Sequence, residues 1–259
     1  MAAILLTRPR ASSLNFAKEI EAHGYEAVLE PLLTIVPHPA VMPDLSPMQA
    51  VMITSSNALE VLAARTNTSR ELFTLPCFCV GPRTAREAKE AGFSDVRYAT
   101  GDSADLAAYM LAQGRSAATG GVGSGTAKGW GQGGEVLHIS GQITDGKAQR
   151  ILEQASLKVT RWPIYAADPV QRLSATTLVR LAEGTLDAVT VFSVRTGQVL
   201  KGLLAQHGLE ACCEGLVAIG LSDAVADVLR PLPWRKLKAA AAPTENEVIT
   251  CLKQTNPVS

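Results

Sequence analysis

The sequence carries no excess of charge of either sign. It has 24 Lys and Arg residues against 24 Asp and Glu residues in 259, and its pI is about 6.9. Because nucleic-acid binding depends on a basic surface, a balanced chain without a basic tail does not indicate a nucleic-acid partner. An anionic ligand must therefore be bound by a local group of side chains rather than by the charge of the whole protein.

Long apolar runs are also absent. No stretch approaches the roughly 20 apolar residues that span a membrane. The apolar run that begins at Ala2 is too short for the core of a signal peptide, and it leads straight into a helical pattern. We therefore expect no membrane association and a cytoplasmic location.

Cysteine and histidine are few and are not spaced for a metal site. The five cysteines are an odd number, and most lie in apolar, strand-like segments, which indicates buried, reduced thiols. Zinc-type Cys-x-x-Cys or His spacing is absent. The four histidines suggest no Ser-His-Asp or Cys-His pairing, and His138 falls inside a predicted strand. We expect no metal.

Short apolar runs alternate with helical periodicity, which predicts βα units and mainly parallel sheets. The predicted strands are Ala3–Thr7, Glu26–Leu29, Ala50–Ile53, Cys77–Val80, Asp95–Tyr98, Val136–Ile139, Lys158–Trp162, Ala188–Phe192, Leu216–Ile219 and Lys236–Ala239. The predicted helices are Ser12–His23, Asn57–Ala64, Pro82–Ala91, Ser103–Gln113, Lys147–Ala155, Ser174–Glu183, Thr196–His207, Asp223–Leu229 and Glu245–Lys253.

The two halves of the chain resemble each other. The aligned pairs are Ala50–Leu62 with Ala188–Leu200 and Val80–Ala85 with Ile219–Ala224, and the strand Ile4–Thr7 resembles Val136–Ser140. Each copy has a strand, then Ser, Thr or Gly at its end, then a helix. A doubled α/β unit follows, and two lobes with a cleft between them are the expected packing.

Two segments bracketed by prolines predict the domain boundaries. Residues 31–39 and 161–169 resist helix and favour extended chain, so we expect them to run side by side as connectors. Residues 40–160 would then form one domain, and residues 1–30 with 170–259 would form the other.

The glycine-rich residues 115–134 contain little that can pack, which predicts a flexible surface loop. The loop includes a nominal Gly-x-Gly-x-x-Gly at Gly129, Gly131 and Gly134. A dinucleotide-binding motif follows a strand and opens a helix, whereas this one precedes a strand. The segment around Lys128 also lacks a glycine that the P-loop spacing requires, so nucleotide binding is not indicated.

Ligands of parallel α/β sheets bind at the carboxyl ends of the strands. The residues just past the predicted strands are rich in hydroxyls and helix starts, which bind carboxylates or phosphates, and arginines add charge-assisted contacts. The expected ligand-binding residues are Thr7, Arg8, Ser55, Ser56, Asn57, Arg83, Thr84, Ser140, Gly141, Ser193, Gly220 and Ser222. The alternative role for each serine is that of a helix N-cap. Tyr165 lies in the second connector, next to the expected cleft, and its alternative role is packing between the domains.

Several runs together resemble the uroporphyrinogen-III synthase family, in the right order and over nearly the whole chain. They are Leu6–Pro9, Thr54–Ala58, Val80–Ala85, Phe192–Ser193, Ala218–Gly220 and Ala242–Thr244. The resemblance implies two flavodoxin-like domains joined by a two-stranded connector, with no metal or cofactor. Ser222 stands where the family often has threonine, and the stretch 115–134 is longer than is usual in the family.

The resemblance also implies an activity. The family cyclises hydroxymethylbilane, a linear tetrapyrrole with many carboxylates, to uroporphyrinogen III in heme biosynthesis, with inversion of ring D and loss of water. Its members are expected to be monomers. Tyr165 matches the family's cleft tyrosine and is the implied proton donor to the leaving hydroxyl. The alternative is a non-catalytic, two-lobed binding or sensor protein for an anionic small molecule, because fold alone does not decide function.

Overall fold

The computed structural model describes residues 1–118 and 135–255. The strands are β1 Ala3–Leu6, β2 Glu26–Leu29, β3 Leu33–Pro37, β4 Met48–Ile53, β5 Cys77–Val80, β6 Val96–Ala99, β7 Glu135–Gly141, β8 Lys158–Pro169, β9 Ala188–Val191, β10 Val217–Gly220 and β11 Lys236–Ala239. The α-helices are α1 Arg10–Ala22, α2 Ser56–Ala63, α3 Gly81–Glu90, α4 Ser103–Ala118, α5 Lys147–Gln154, α6 Ala175–Ala182, α7 Val194–His207, α8 Asp223–Leu229 and α9 Glu245–Thr255. This alternation confirms the predicted α/β class.

The chain divides into two compact units. The first contains Met1–Thr34 and Asp168–Ser259, and the second is Ile35–Ala167. The divisions fall inside β3 and β8, so they lie a few residues from the ends of the predicted connectors. One sheet has the order β11-β10-β9-β1-β2, and the other has the order β3-β8-β7-β4-β5-β6. Strands β3 and β8, which contain much of the two predicted connector segments, are neighbours in the second sheet, and their role as connectors stays a prediction.

Both sheets are built from parallel pairs. All neighbours in the first sheet are parallel, and so are the neighbours from β8 to β6 in the second. The first order is flavodoxin-like. When the repeat aligns β4 with β9, β5 with β10 and β7 with β1, the order β6-β5-β4-β7-β8 matches β11-β10-β9-β1-β2 position by position. The two units therefore share one topology, and the chain enters it at a different strand in each unit.

The central strands are apolar throughout because helices cover both faces of each sheet. In β1, Ala3 and Leu5 pack into one buried cluster, whereas Ile4 and Leu6 pack into the cluster on the opposite face. This alternation follows from the two-residue period of a strand. Cores on both faces leave the strand ends as the part of each sheet that remains open to a ligand.

The loop predicted over residues 115–134 is wrong at its start. Helix α4 runs to Ala118 and passes through Gly114, where the sequence predicted its end. Arginine and alanine at positions 115, 117 and 118 favour helix, which explains the extension. The rest of the predicted loop, residues 119–134, lies outside the described residues. Within the described ranges, none of the helices is long and apolar enough to cross a membrane.

A buried carboxylate organises the first unit where the connectors leave it. Glu30 follows β2 and is only 5% exposed. It accepts hydrogen bonds from the Ser174 N–H at 3.0 Å and from the hydroxyls of Ser174 and Thr177. Ser174 is also the N-cap of α6, since its Oγ accepts from the Thr177 N–H. The network therefore joins the end of β2 to the start of α6.

We expect Glu30→Gln to lower the free energy of unfolding by about 1–3 kcal/mol, because the amide replaces an acceptor with a donor among buried donors. Urea unfolding measures this change. The matched control is Glu21→Gln on the exposed face of α1, for which we expect almost no change. Equal stability of the two variants would contradict a structural role for the Glu30 carboxylate.

His138 is buried in β7, as the sequence predicted, with 3% exposure. Its Nε2 lies 3.3 Å from the Thr54 hydroxyl, and its Nδ1 is buried with no partner among the described residues. Burial and, secondarily, the positive charge of Arg161 lower the pKa of His138 to about 4. The imidazole is therefore neutral at neutral pH.

This shift predicts a pH-dependent stability. The folded pKa lies below the unfolded value of about 6.5, so the unfolded chain binds the extra proton and stability is lost as the pH falls from about 6.5 towards 4. We expect His138 to contribute a loss of about 2 kcal/mol between pH 7 and pH 5. Urea unfolding of His138→Gln should show a smaller loss, whereas the exposed His23→Gln should behave like the parent. Parallel pH profiles for all three proteins would refute the assignment.

Candidate functional site

Each sheet has one point at which successive connections run to opposite sides of the sheet. The chain leaves β1 towards β2 on one side and later enters β9 on the other, so this switch point lies between β1 and β9. In the second unit it lies between β4 and β7. The ligand crevice of open parallel sheets lies outside the carboxyl ends at such a point. Four of the predicted strand ends therefore define the two candidate edges.

At the first edge, Thr7 acts inside the sheet. Its side chain is fully buried, and its hydroxyl donates to the Thr190 carbonyl at 2.7 Å. This hydrogen bond joins β1 and β9 directly beneath the switch point. The hydroxyl is enclosed and already donates to the neighbouring strand, and its contact with a ligand stays a prediction.

Arg8 is the charged group of the first edge. Its guanidinium carbon lies 4.3 Å from the centre of the Phe192 ring, within the range of a cation–π contact. It also forms an ion pair with Glu245, the first residue of α9, and both side chains are largely buried. The pair holds the cation at the strand end and reduces the net charge that an incoming carboxylate would meet.

Ser193 and Ser55 occupy equivalent positions in the two units, after β9 and after β4. Ser193 is the N-cap of α7 and accepts from the Thr196 N–H at 3.1 Å. Ser55 is the N-cap of α2 and accepts from the Asn57 N–H at 3.3 Å. Both serines are half-buried, and Ser56 follows in the first turn of α2. The capping alternative is thus present at both positions, and it places two helix N-termini at the candidate edges.

Four more of the predicted residues lie at or just after the ends of β5 and β10, the next strands towards the edge of each sheet. Arg83, on α3, is paired with Glu87 at 2.9 Å, one turn further along the helix. Thr84 is buried, and so is Gly220, where a Cβ would lie 2.9 Å from the Ala226 nitrogen. Ser222 is the N-cap residue of α8, but its side chain makes no capping hydrogen bond.

Ser140, Gly141 and Tyr165 meet at the carboxyl end of β7, where its pairing with β8 stops. Ser140 is 2% exposed, and its hydroxyl has no partner among the described residues. Gly141 is buried and is the register partner of Tyr165. The ring of Tyr165 packs on Gly141, and Tyr165 itself is 7% exposed. Tyr165 therefore packs within its own unit, and its position at the β7 edge leaves the proposed acid role open.

The predicted residues divide by exposure. Those with half-buried side chains are Arg8, Ser55, Ser56, Asn57, Arg83, Ser193 and Ser222. Those with buried side chains or buried backbone are Thr7, Thr84, Ser140, Gly141, Gly220 and Tyr165. Contact of either group with a ligand stays a prediction, as does the cleft between domains.

Sequence reasoning missed two charged residues at these edges. Glu245 pairs with Arg8, and Arg161 donates through Nη2 to the carbonyls of Gly141 and Gln142, both at 2.9 Å. No spacing connects residues 8 and 245, because the sheet topology brings them together. The run at Ala242–Thr244 was the one signal close to Glu245 in the sequence.

The described residues contain no group of three or more His, Cys, Asp or Glu side chains that could hold a metal ion. What the two edges offer is hydroxyls, helix N-termini and arginines that are already paired or stacked. Such groups bind and orient carboxylates.

Comparison with solved structures identifies the fold. Over nearly the full length of both chains, the fold is similar to two solved structures. The uroporphyrinogen-III synthetase of Helicobacter pylori has a TM-score of 0.60 at 15% identity, covering 98% of this chain and 99% of that chain. A mutant uroporphyrinogen III synthase of the extremely thermophilic bacterium Thermus thermophilus has a TM-score of 0.54 at 15% identity, covering 98% of each chain. At this identity the likeness shows the fold.

The family assignment comes from the sequence. No curated protein matches the chain significantly. The family model described as "Uroporphyrinogen-III synthase HemD" matches residues 15–250, which is most of the chain and includes both units. The chain therefore belongs to the uroporphyrinogen-III synthase family, whose members are enzymes of tetrapyrrole biosynthesis.

Proposed function

We propose that this chain cyclises hydroxymethylbilane to uroporphyrinogen III, with inversion of ring D and loss of water. The observation that carries the proposal is the family match over residues 15–250. The reaction eliminates water and closes a carbon–carbon bond without redox change, which makes the enzyme a carbon–oxygen lyase. The cytoplasmic location and the monomeric state stay predictions.

The two strand edges support a polycarboxylate substrate. Ser55 and Ser193 mark helix N-termini, where backbone N–H groups and the helix dipole attract carboxylates. Arg8 adds a charge at the first edge, and Arg83 lies on the first turn of α3. Because Arg8 and Arg83 are paired with Glu245 and Glu87, the edges recognise carboxylates without a strong excess of positive charge. The balanced composition of the chain agrees with this arrangement.

The chemistry begins with departure of the hydroxyl group. A proton donor converts the hydroxyl to water, and the pyrrole nitrogen supplies the electron pair that forms an azafulvene cation. Ring D attacks this cation through its substituted carbon, giving a spiro intermediate that opens and closes in the inverted sense. The final ring recovers aromaticity by losing a proton, so the proton given at the start is returned.

Tyr165 is the proposed donor of that first proton. A phenol is a weak acid that has a proton to give near neutral pH. Its hydroxyl would lie 3.2 Å from a Cβ on Gly141, at the carboxyl end of β7 beside the switch point. The substrate closes by itself without inversion, so orientation by the two edges supplies much of the advantage.

Incubation of the pure protein with enzymatically generated hydroxymethylbilane tests the reaction. Spontaneous closure gives the type I isomer, so we expect the type III isomer with active protein and type I with heat-denatured protein. Chromatography of the oxidised porphyrins separates the isomers. Formation of type I alone would reject the synthase and leave the non-catalytic binding protein as the better account.

We expect Tyr165→Phe to lower kcat about tenfold or more while KM changes little, because the ring remains and only the donated proton is lost. Steady-state assay of the type III product measures both constants. Tyr98→Phe, on the exposed surface of β6, is the matched control and should retain the parental rate. A parental kcat in Tyr165→Phe would exclude the acid role.

A further inference from the structure

The pairing of β7 and β8 changes register immediately before Tyr165. Ser140 pairs with Pro163, but the next residue, Gly141, pairs with Tyr165, so Ile164 is an extra residue on β8. An extra residue in a strand bends it and turns the following side chain, and such bulges are frequent beside active sites. Here the irregularity places the Tyr165 ring beside Gly141.

The ring occupies the space that any other side chain at position 141 would need. A Cβ on Gly141 would lie 2.9 Å from both Cε2 and Cζ of Tyr165 and 3.2 Å from its hydroxyl oxygen. Gly141 does not have a positive φ, so its backbone conformation is open to other residues. Glycine is therefore needed at this position for the close approach of the phenol and not for a special turn.

The backbone beneath the ring is fixed on two sides. The Gln142 N–H donates to the Tyr165 carbonyl at 2.8 Å, which ties the residue after β7 to β8. Arg161, on β8, donates through Nη2 to the carbonyls of Gly141 and Gln142, both at 2.9 Å. Charged donors make stronger hydrogen bonds than neutral ones, so the backbone of Gly141 and Gln142 is held more firmly than an ordinary surface loop.

We propose that Gly141 is a positioning residue for the reaction: its bare Cα, held in place by Arg161, sets where the Tyr165 hydroxyl lies. The inference rests on the proposed function and on Tyr165 as its proton donor. It also gives Gly141 a different task from the substrate contact that the sequence suggested. The glycine acts through the tyrosine and need not touch the substrate.

The size of the effect follows from the contact distance. A methyl group at 2.9 Å is closer than an ordinary contact, which begins near 3.4 Å, so the ring would have to retreat by about 0.5 Å or more. Misplacement of a reacting group by about 1 Å can cost about a hundredfold in rate. We therefore expect Gly141→Ala to lower kcat about tenfold or more and to change KM less than about threefold.

A double-mutant cycle tests whether the glycine acts through the tyrosine. The proteins are the parent, Gly141→Ala, Tyr165→Phe and the double variant, each assayed for kcat and KM of type III formation. If Gly141 acts by placing the phenol, adding Gly141→Ala to Tyr165→Phe should change kcat less than about twofold. An equal kcat loss in both backgrounds, or no loss in either, would overturn the inference.

The control is a second glycine, away from Tyr165, at which an added Cβ would also be crowded. A Cβ on Gly197, in α7, would lie 3.3 Å from Cγ1 of Val228, so Gly197→Ala also strains a packed contact. Any change it makes in kcat should be the same with Tyr165 and with Phe at position 165. Coupling of Gly197 to Tyr165 as large as that of Gly141 would show a general loss of packing and would overturn the inference.

Two further measurements keep the inference testable if Gly141→Ala folds poorly. Arg161→Met removes the Nη2 donor to the two carbonyls, and its kcat loss should also disappear in the Tyr165→Phe background. The ring resonances of ¹³C-labelled Tyr165 should shift in Arg161→Met and not in Gly197→Ala, and unchanged resonances would count against the inference. A parent that makes only type I product rejects the proposed function, whereas type III product with an additive cycle rejects the positioning role alone.

Discussion

Parallel pairing of β1 with β9 and of β4 with β7 is the constraint on which the candidate site depends. Residue 4 pairs with residue 188, and residue 50 pairs with residue 136, so the carboxyl ends of each pair stop at the same level. Polar contacts lock both pairs just below that level, through Thr7 and Thr190 in one unit and through Thr54 and His138 in the other. These two registers set the positions of the residues that follow β1, β9, β4 and β7.

The same registers show how the repeat has diverged. With Ala50 aligned to Ala188, Ser140 falls opposite Arg8 in the equivalent strand. The first edge thus has a cation, Arg8, on its own strand. At the second edge the guanidinium comes from Arg161 on the adjacent strand β8, where it donates to backbone carbonyls. One topology therefore supplies two chemically different edges.

The sequence predicted the fold well because periodicity and strand-end residues are local signals. Strand and helix positions, the repeat and the paired connectors could all be inferred from short stretches. The site was harder, because burial and partners are set by distant residues. Nothing near Thr7 indicates that Thr190 accepts its hydroxyl, and nothing near Arg8 points to Glu245. The bulge that sets Tyr165 on Gly141 depends on the register of two strands, which periodicity does not reveal.

The arrangement of the units along the chain has a consequence for biosynthesis. The unit Ile35–Ala167 is continuous, so all of its strands have been translated before Asp168 is made. The other unit begins with Met1–Thr34 but needs β9, β10 and β11, which come last. During translation the apolar strand β1 therefore lacks its partner β9 until after the continuous unit has been completed. A nascent chain whose residues up to 169 have emerged from the ribosome should contain one folded unit and a tethered, unfinished one.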